Sequence, residues 1–144
     1  MHKKLIAAAS ILTLALPALS QACTLYGATG PTFVQGGGTL VSKNRDWTPA
    51  SQTLKYVAPA HGYRYLGLFT GPNYNFNAAG VNEKGLYVAM STASSVPKAE
   101  RSQIKAYRSP DGLRGNEYLL RHTANVLEAL SHTEIFKEPV NYIL

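Results

Sequence analysis

Cys23 is the residue of this chain that is best suited to covalent chemistry. It is the only cysteine among 144 residues, and it follows a segment that is typical of an export signal. Two lysines begin that segment, an apolar run covers residues 5–19, and small residues lead to a cleavage position after Ala22. The sequence therefore predicts a signal peptide over residues 1–22 and a mature chain over residues 23–144, in the periplasm or outside the cell.

Cys23 has three interpretations. In the first, Cys23 packs as a small hydrophobic residue near an incidental cleavage site. In the second, Cys23 carries a lipid, although a lipoprotein motif places Leu where Ser20 stands. In the third interpretation, cleavage makes Cys23 an N-terminal nucleophile whose own amine is the general base. A terminal amine and a thiol both titrate close enough to neutral pH to exchange a proton during acyl transfer. We take the nucleophile as the main hypothesis and an exported lipoprotein or binding module as the alternative.

Charge and composition argue against several other classes of function. The formal net charge of +6 falls to +4 without the signal segment, and the basic residues form no run, so no nucleic-acid partner is predicted. His61, His122 and His132 show no metal-ligand spacing, and no second cysteine is present, so no metal site is predicted. The apolar run is also shorter than the roughly 20 residues that cross a bilayer. We therefore expect no stable membrane insertion.

The first half of the mature chain predicts antiparallel strands. Two β-type runs flank a turn-rich segment over residues 30–38, which indicates a hairpin that returns residues 43–47 to the neighbourhood of Cys23. Gly85 is expected to supply a positive φ in a tight turn that begins at Asn82. Further strands are predicted over residues 55–58, 63–69, 76–81 and 86–92.

The second half predicts a long loop followed by a pair of helices. Residues 93–116 show no periodicity, and a helix pair is expected near residues 116–131. Asn125 and Glu128 have the spacing of an N-cap and its reciprocal partner at the start of the second helix. Residues 140–144 form an apolar β-type run in which the sequence stops. We therefore expect an incomplete domain, and an inactive, poorly stable fragment if these residues are produced alone.

Three motifs resemble a known family when they are taken in order. Cys23-Thr24, the segment 43–47 (Lys-Asn-Arg-Asp-Trp) and the segment 80–86 (Gly-Val-Asn-Glu-Lys-Gly-Leu) resemble the N-terminal-nucleophile cysteine amidohydrolases of the choloylglycine hydrolase, penicillin V acylase and acid ceramidase group. The resemblance implies an α+β fold, an αββα sandwich of two antiparallel sheets between helices, of which this chain holds the N-terminal part. It also implies hydrolysis of linear amide bonds in a small N-acyl substrate without a cofactor, and it leaves room for a homo-oligomer of the complete parent.

The resemblance assigns roles to five residues. Cys23 matches the nucleophile, and Asp46 matches the carboxylate that orients its amine. Lys43 stands where the family usually has an arginine, which keeps the positive charge but loses the planar fork. Thr92 occupies the position of an oxyanion-stabilising asparagine, and its hydroxyl is a donor of shorter reach. Asn82 is a second candidate donor, although its place in the motif favours a role in the turn.

Additional residues are candidates for supporting roles. Arg45 is either a second cation for the site or a surface partner of Asp46. The resemblance leaves open phenoxyacyl amides like penicillin V, fatty acyl homoserine lactones and bile-salt-like conjugates as substrates. Several aromatic side chains are candidates either for an apolar acyl pocket or for ordinary core packing: Tyr26, Trp47, Tyr65, Tyr74 and Tyr87.

Overall fold

The computed structural model describes residues 23–46 and 50–144. The predicted signal peptide and the predicted pocket role of Trp47 lie outside these residues. Within them the chain is a mixed α+β structure with two antiparallel sheets and three α-helices. The α+β prediction is confirmed at this level.

The first two strands form the predicted hairpin. Strands β1 (Thr24–Thr29) and β2 (Thr39–Asn44) pair antiparallel, with Thr24 opposite Asn44. The connection closes with a hydrogen bond of 2.9 Å from the Gly30 N–H to the Gly38 carbonyl. Its three consecutive glycines at residues 36–38 all adopt positive φ, which side chains with a Cβ rarely tolerate. The hairpin therefore returns Lys43 to the start of β1, next to Cys23.

The second sheet has five strands in sequence order, each antiparallel to its neighbour. The four strands predicted between residues 55 and 92 are present, the predicted hairpin of β5 and β6 is confirmed, and Gly85 has a φ of 85° in its turn. The terminal apolar run forms β7, which pairs with β6 so that Thr92 lies opposite Val140. The strands are β3 (Thr53–Val57), β4 (Tyr65–Thr70), β5 (Phe76–Asn82), β6 (Tyr87–Thr92) and β7 (Val140–Ile143).

The predicted helix pair is also confirmed. Helix α1 (Lys98–Arg101) is a single turn in the region predicted as a loop, and α2 (Gly115–His122) and α3 (Val126–Ser131) follow. Asn125 accepts a 3.0 Å hydrogen bond from the Glu128 N–H, while the Glu128 carboxylate accepts from the Ala124 N–H at 2.6 Å. This reciprocal cap starts α3. No helix in the described part of the chain is long and apolar enough to cross a membrane.

The two faces of the five-stranded sheet have different covers. Tyr142 and Ile143 are neighbours in β7, so their side chains point to opposite faces. A Cβ built on Gly115 of α2 would lie 2.7 Å from the Tyr142 hydroxyl, and one built on Gly27 of β1 would lie 3.0 Å from Ile143 Cδ1. Helix α2 therefore covers one face, and the β1–β2 hairpin covers the β6–β7 side of the other.

The main core lies between the sheet and the helices. It is formed by fully or almost fully buried side chains. Gly80 in β5 permits this packing, because a Cβ there would lie 2.7 Å from Leu120 Cδ1 and 2.9 Å from the Leu66 carbonyl oxygen. On the opposite face, strands β3 to β5 leave Leu54 65% exposed and Tyr56 66% exposed. The core residues are Tyr65, Phe69, Leu86, Val88, Leu119, Leu120, Ala129 and Ile135.

Asn82 fastens the β5–β6 turn to the end of α2. Its buried amide donates to the main-chain carbonyls of Leu120 at 3.0 Å and Thr123 at 2.8 Å. Its side-chain oxygen accepts from the N–H groups of Lys84 and Leu86, both at 3.0 Å. These four bonds satisfy main-chain groups that water reaches poorly, so the side chain is a structural clamp.

Replacing Asn82 with Ala should destabilise the fold. The change leaves buried donors and acceptors without partners, which costs about 2–4 kcal/mol of unfolding free energy. Asn141→Ala, at an exposed position of β7, is the control and should change that free energy by less than about 0.5 kcal/mol. Urea unfolding of both variants measures the difference. Equal stability of the two variants would refute the clamp.

Candidate active site

Cys23 lies in the wall of a cavity of about 450 Å³ at one end of the two sheets. Strand β1 begins there, β2, β4 and β6 end there, and β5 begins there. The polar residues of the wall are Cys23, Lys43, Arg45, Thr70, Asn75, Ser91, Thr92 and Arg114, and the apolar ones include Ala50, Pro72, Phe76, Ala78 and Met90. The cavity therefore combines a thiol, several cations and an apolar surface.

The cavity opens because β5 and β6 separate. Their pairing runs from Val81 opposite Tyr87 to Ala79 opposite Ala89, and it stops there. A register shift in the β4–β5 pairing leaves Ala78 as an extra residue in β5, and such a bulge bends the strand that carries it. The last residues of β6 therefore face a gap where a neighbouring strand would otherwise lie.

The main chain of Met90 and Thr92 points into this gap. The Ala93 N–H donates to the Pro139 carbonyl at 3.1 Å, so the main-chain groups of odd-numbered residues face β7. Main-chain groups alternate in direction along a strand. Those of Met90 and Thr92 therefore face β5, where the pairing has ended. This geometry presents the N–H of Thr92 to the cavity.

Lys43 fills part of the gap. Its half-buried ammonium donates to the Met90 carbonyl. Burial lowers the pKa of Lys43, the charge of Cys23 opposes that shift, and the positive charge of Arg45 adds to it. Lys43 lies opposite Leu25, two residues along β1 from Cys23, and both Lys43 and Cys23 line the cavity.

Arg45 belongs to the cavity wall. Its guanidinium donates to the Thr70 hydroxyl at 2.8 Å, and Thr70, 1% exposed, donates in turn to the Ser51 carbonyl at 3.3 Å. Asp46 is exposed outside the described wall and accepts a 3.1 Å hydrogen bond from the Asn44 amide. Of the two interpretations of Arg45, a second cation in the site is the one that the contacts support.

The two polar residues at the end of β6, Ser91 and Thr92, both line the cavity. Thr92 lies opposite Val140 and Met90 lies opposite Tyr142, so the alternation that turns Tyr142 towards α2 turns the Thr92 side chain the same way. Thr92 and Met90 therefore line the cavity with their side chains on the α2 face of β6, and the Thr92 N–H lies at the edge of the strand that faces the gap. Ser91 points to the opposite face of β6, also lines the cavity, is 6% exposed, and makes no side-chain hydrogen bond to the described residues.

Asn82 does not reach the cavity. It ends β5, whereas the cavity lies beside Phe76 at the start of that strand. Six steps of about 3.3 Å separate the two ends by about 20 Å. Of the two predicted roles of Asn82, the turn role is the one that its contacts support.

The four aromatic candidates among the described residues lie outside the cavity wall. Tyr65 is 3% exposed in the core, where burial and the carboxylate of Glu117 raise its pKa. Tyr26, Tyr74 and Tyr87 do not line the cavity either, and Phe76 is the aromatic residue that does so within residues 23–46 and 50–144. The segment from Gly71 to Asn75, whose two ends line the cavity, includes two non-glycine residues with positive φ, Asn73 and Tyr74. Such a costly conformation often accompanies binding sites.

The comparisons with protein-family models, curated proteins and solved structures find no match for this chain. Any functional proposal therefore rests on the residues of the cavity and on the order of the sequence motifs.

The charge around Cys23 can be measured by alkylation of its single thiol. Iodoacetate and iodoacetamide share a leaving group and differ in charge, so nearby cations should favour iodoacetate. The measured quantity is the alkylation rate with iodoacetate divided by the rate with iodoacetamide, relative to the same ratio for N-acetylcysteinamide. This quantity should fall about three- to tenfold in Lys43→Gln and at high salt.

Lys84→Gln removes the same charge from the exposed turn at the far end of β5 and should leave the ratio unchanged. A ratio that is insensitive to Lys43→Gln would show that Lys43 does not act on the thiol.

Proposed function

We propose that this protein is an exported hydrolase of linear amide bonds, in the periplasm or outside the cell, which uses Cys23 as an N-terminal nucleophile. The observation that carries the proposal is the position of the only cysteine in a cavity wall beside the cation of Lys43. The motif order shared with the choloylglycine hydrolase, penicillin V acylase and acid ceramidase group supports the same chemistry. Removal of residues 1–22 would supply the amine that this chemistry needs.

The first chemical step is acyl transfer to the thiol. The free amine of Cys23 accepts the thiol proton, and the sulfur attacks the amide carbonyl. The protonated amine then donates its proton to the leaving nitrogen as the carbon–nitrogen bond breaks. This leaves a thioester, which water hydrolyses with the same amine as general base. Lys43 favours the thiolate through its charge.

The oxyanion of the tetrahedral intermediate needs a donor that is fixed in advance. The N–H of Thr92 fits this role, because it faces the gap between β5 and β6 and has no strand partner in β5. A main-chain donor at the end of a strand moves little, so it need not reorganise when the charge develops. We assign the oxyanion contact to this N–H rather than to the Thr92 hydroxyl.

We assign Asp46 to the orientation of the Cys23 amine on the basis of the hairpin register. Thr24 lies opposite Asn44, so continued pairing would place Arg45 across from Cys23 and Asp46 one residue further. The amine released by cleavage would extend towards that position. An exposed carboxylate there can hold the ammonium form and orient it towards the sulfur.

The acyl group of the substrate should be apolar. Pro72, Phe76, Ala78 and Met90 give the cavity an apolar wall. Its volume of about 450 Å³ lies within the usual range of small-molecule sites. Phenylacetyl and phenoxyacetyl amides are therefore suitable first substrates.

Cys23→Ala should abolish amide hydrolysis, and Cys23→Ser should impair it severely, because a hydroxyl is much harder to deprotonate at neutral pH. Amine release from a panel of N-acyl amides measures the loss. Intact mass of the purified protein shows whether Cys23 is the N-terminus, is lipidated, or still follows the signal segment. Activity that survives in Cys23→Ala, or a lipidated Cys23, would contradict the proposal.

Thr92→Val should leave kcat/KM within about threefold, because it removes the hydroxyl but keeps the main-chain N–H. Loss of an oxyanion donor usually costs about 100- to 1000-fold in kcat. Steady-state kinetics of Thr92→Val therefore distinguishes the Thr92 hydroxyl from the Thr92 N–H as the oxyanion donor. A loss of that size in Thr92→Val would return the oxyanion role to the hydroxyl.

A further inference from the structure

The cavity has an excess of positive charge. Lys43, Arg45 and Arg114 all line it, and no Asp or Glu is among the described residues of its wall. The salt bridges within residues 23–46 and 50–144 involve other basic side chains. These three cations therefore share a partly enclosed space without a carboxylate partner in the described structure.

Arg114 is the cation best placed to bind a ligand. It precedes the first residue of α2, and its guanidinium carbon lies 5.0 Å from the centroid of the Phe76 ring. A cation over an aromatic face is attracted by the ring and keeps the outer edge of the guanidinium available. Its side chain donates no hydrogen bond to the described residues, whereas Lys43 and Arg45 are bound to Met90 and Thr70.

Nearby carboxylates form no salt bridge with Arg114 within the described residues. Glu117 accepts a 3.3 Å hydrogen bond from the Tyr65 hydroxyl, and Glu138 accepts one from the Tyr107 N–H. Burial and the charge of Arg108 lower the pKa of Arg114, while Glu117 and Glu138 oppose that shift. Arg114 therefore retains hydrogen-bonding capacity for an acidic group that enters the cavity.

We propose that Arg114 is a specificity-determining residue that binds an acidic group of the substrate, so that the preferred substrates are N-acyl amides bearing a carboxylate. This inference rests on the proposed amidase function. A guanidinium forms two parallel hydrogen bonds with a carboxylate, which a neutral amide cannot match. The apolar wall binds the acyl group, while Arg114 distinguishes acidic from neutral substrates.

A matched pair of probes tests the inference. Phenylacetylglycine and phenylacetylglycinamide differ in the charge of one group, and Cys23→Ala in the full chain prevents turnover during calorimetric titration. The acid should bind about tenfold more tightly than the amide. Adding Arg114→Gln should weaken acid binding about tenfold and amide binding less than twofold.

Two further variants serve as controls. Arg108→Gln removes the same charge at an exposed neighbouring position and should change either affinity less than twofold. Arg114→Lys keeps the charge but loses the planar fork, so it should retain part of the preference for the acid. Circular dichroism establishes that each variant is folded.

The inference is overturned if acid and amide bind equally, if neither binds, or if Arg108→Gln acts as strongly as Arg114→Gln. Its failure is distinguishable from failure of the amidase proposal. Hydrolysis of the neutral amide by the unaltered protein, without preference for the acid, would refute only the role of Arg114. Preferential binding of the acid without hydrolysis of either probe would refute only the amidase.

Discussion

The hydrogen bond from the Lys43 ammonium to the Met90 carbonyl joins the two sheets at the place where β5 and β6 separate. A main-chain carbonyl that loses its strand partner and is shielded from water needs another donor. The hairpin supplies that donor at the end of β2, next to the start of β1. The same contact therefore compensates for the gap that forms the cavity and places Cys23 in its wall. The proposed chemistry depends on this arrangement.

The opposite wall depends on how α2 is attached to β5. The Asn116 amide donates to the Asn77 carbonyl at 3.1 Å near the first turn of the helix, and Asn82 binds the carbonyls at its other end. Gly80 lies between these contacts and lets the helix approach the strand closely. Two buried asparagines and a glycine thus fix the helix that Arg114 precedes. Asn82, predicted as a candidate donor at the site, contributes instead to this support.

Local signals in the sequence were sufficient to predict most of the elements. The glycine turn at residues 36–38 and the turn at Gly85 define two hairpins, and Asn125 with Glu128 defines the start of α3. Each signal depends on residues a few positions apart, so it can be recognised without knowledge of the tertiary structure. The return of Lys43 to Cys23 followed from the hairpin alone.

The composition of the cavity wall could not be predicted in the same way. The face on which Ser91 or Thr92 lies depends on the register with β7, about 50 residues later in the sequence. The bulge at Ala78 changes the direction of β5 without a recognisable local motif. Arg114 reaches the cavity only because α2 packs on β5, so its position follows from contacts between distant segments. The alternation of side chains along β6 was the only sequence pattern that bears on which residues line the cavity. Using that pattern requires knowing which face of the strand is buried.

The covalent thioester on Cys23 is the most direct test of the account. The purified protein is mixed with an activated phenylacetyl anilide, quenched in acid within the first turnovers, and analysed by intact and peptide mass spectrometry. The account predicts a chain that begins at Cys23 and carries one phenylacetyl group on that residue, released by neutral hydroxylamine and absent in Cys23→Ala. Amide hydrolysis without this adduct under rapid quench, or an adduct that persists in Cys23→Ala, would contradict it.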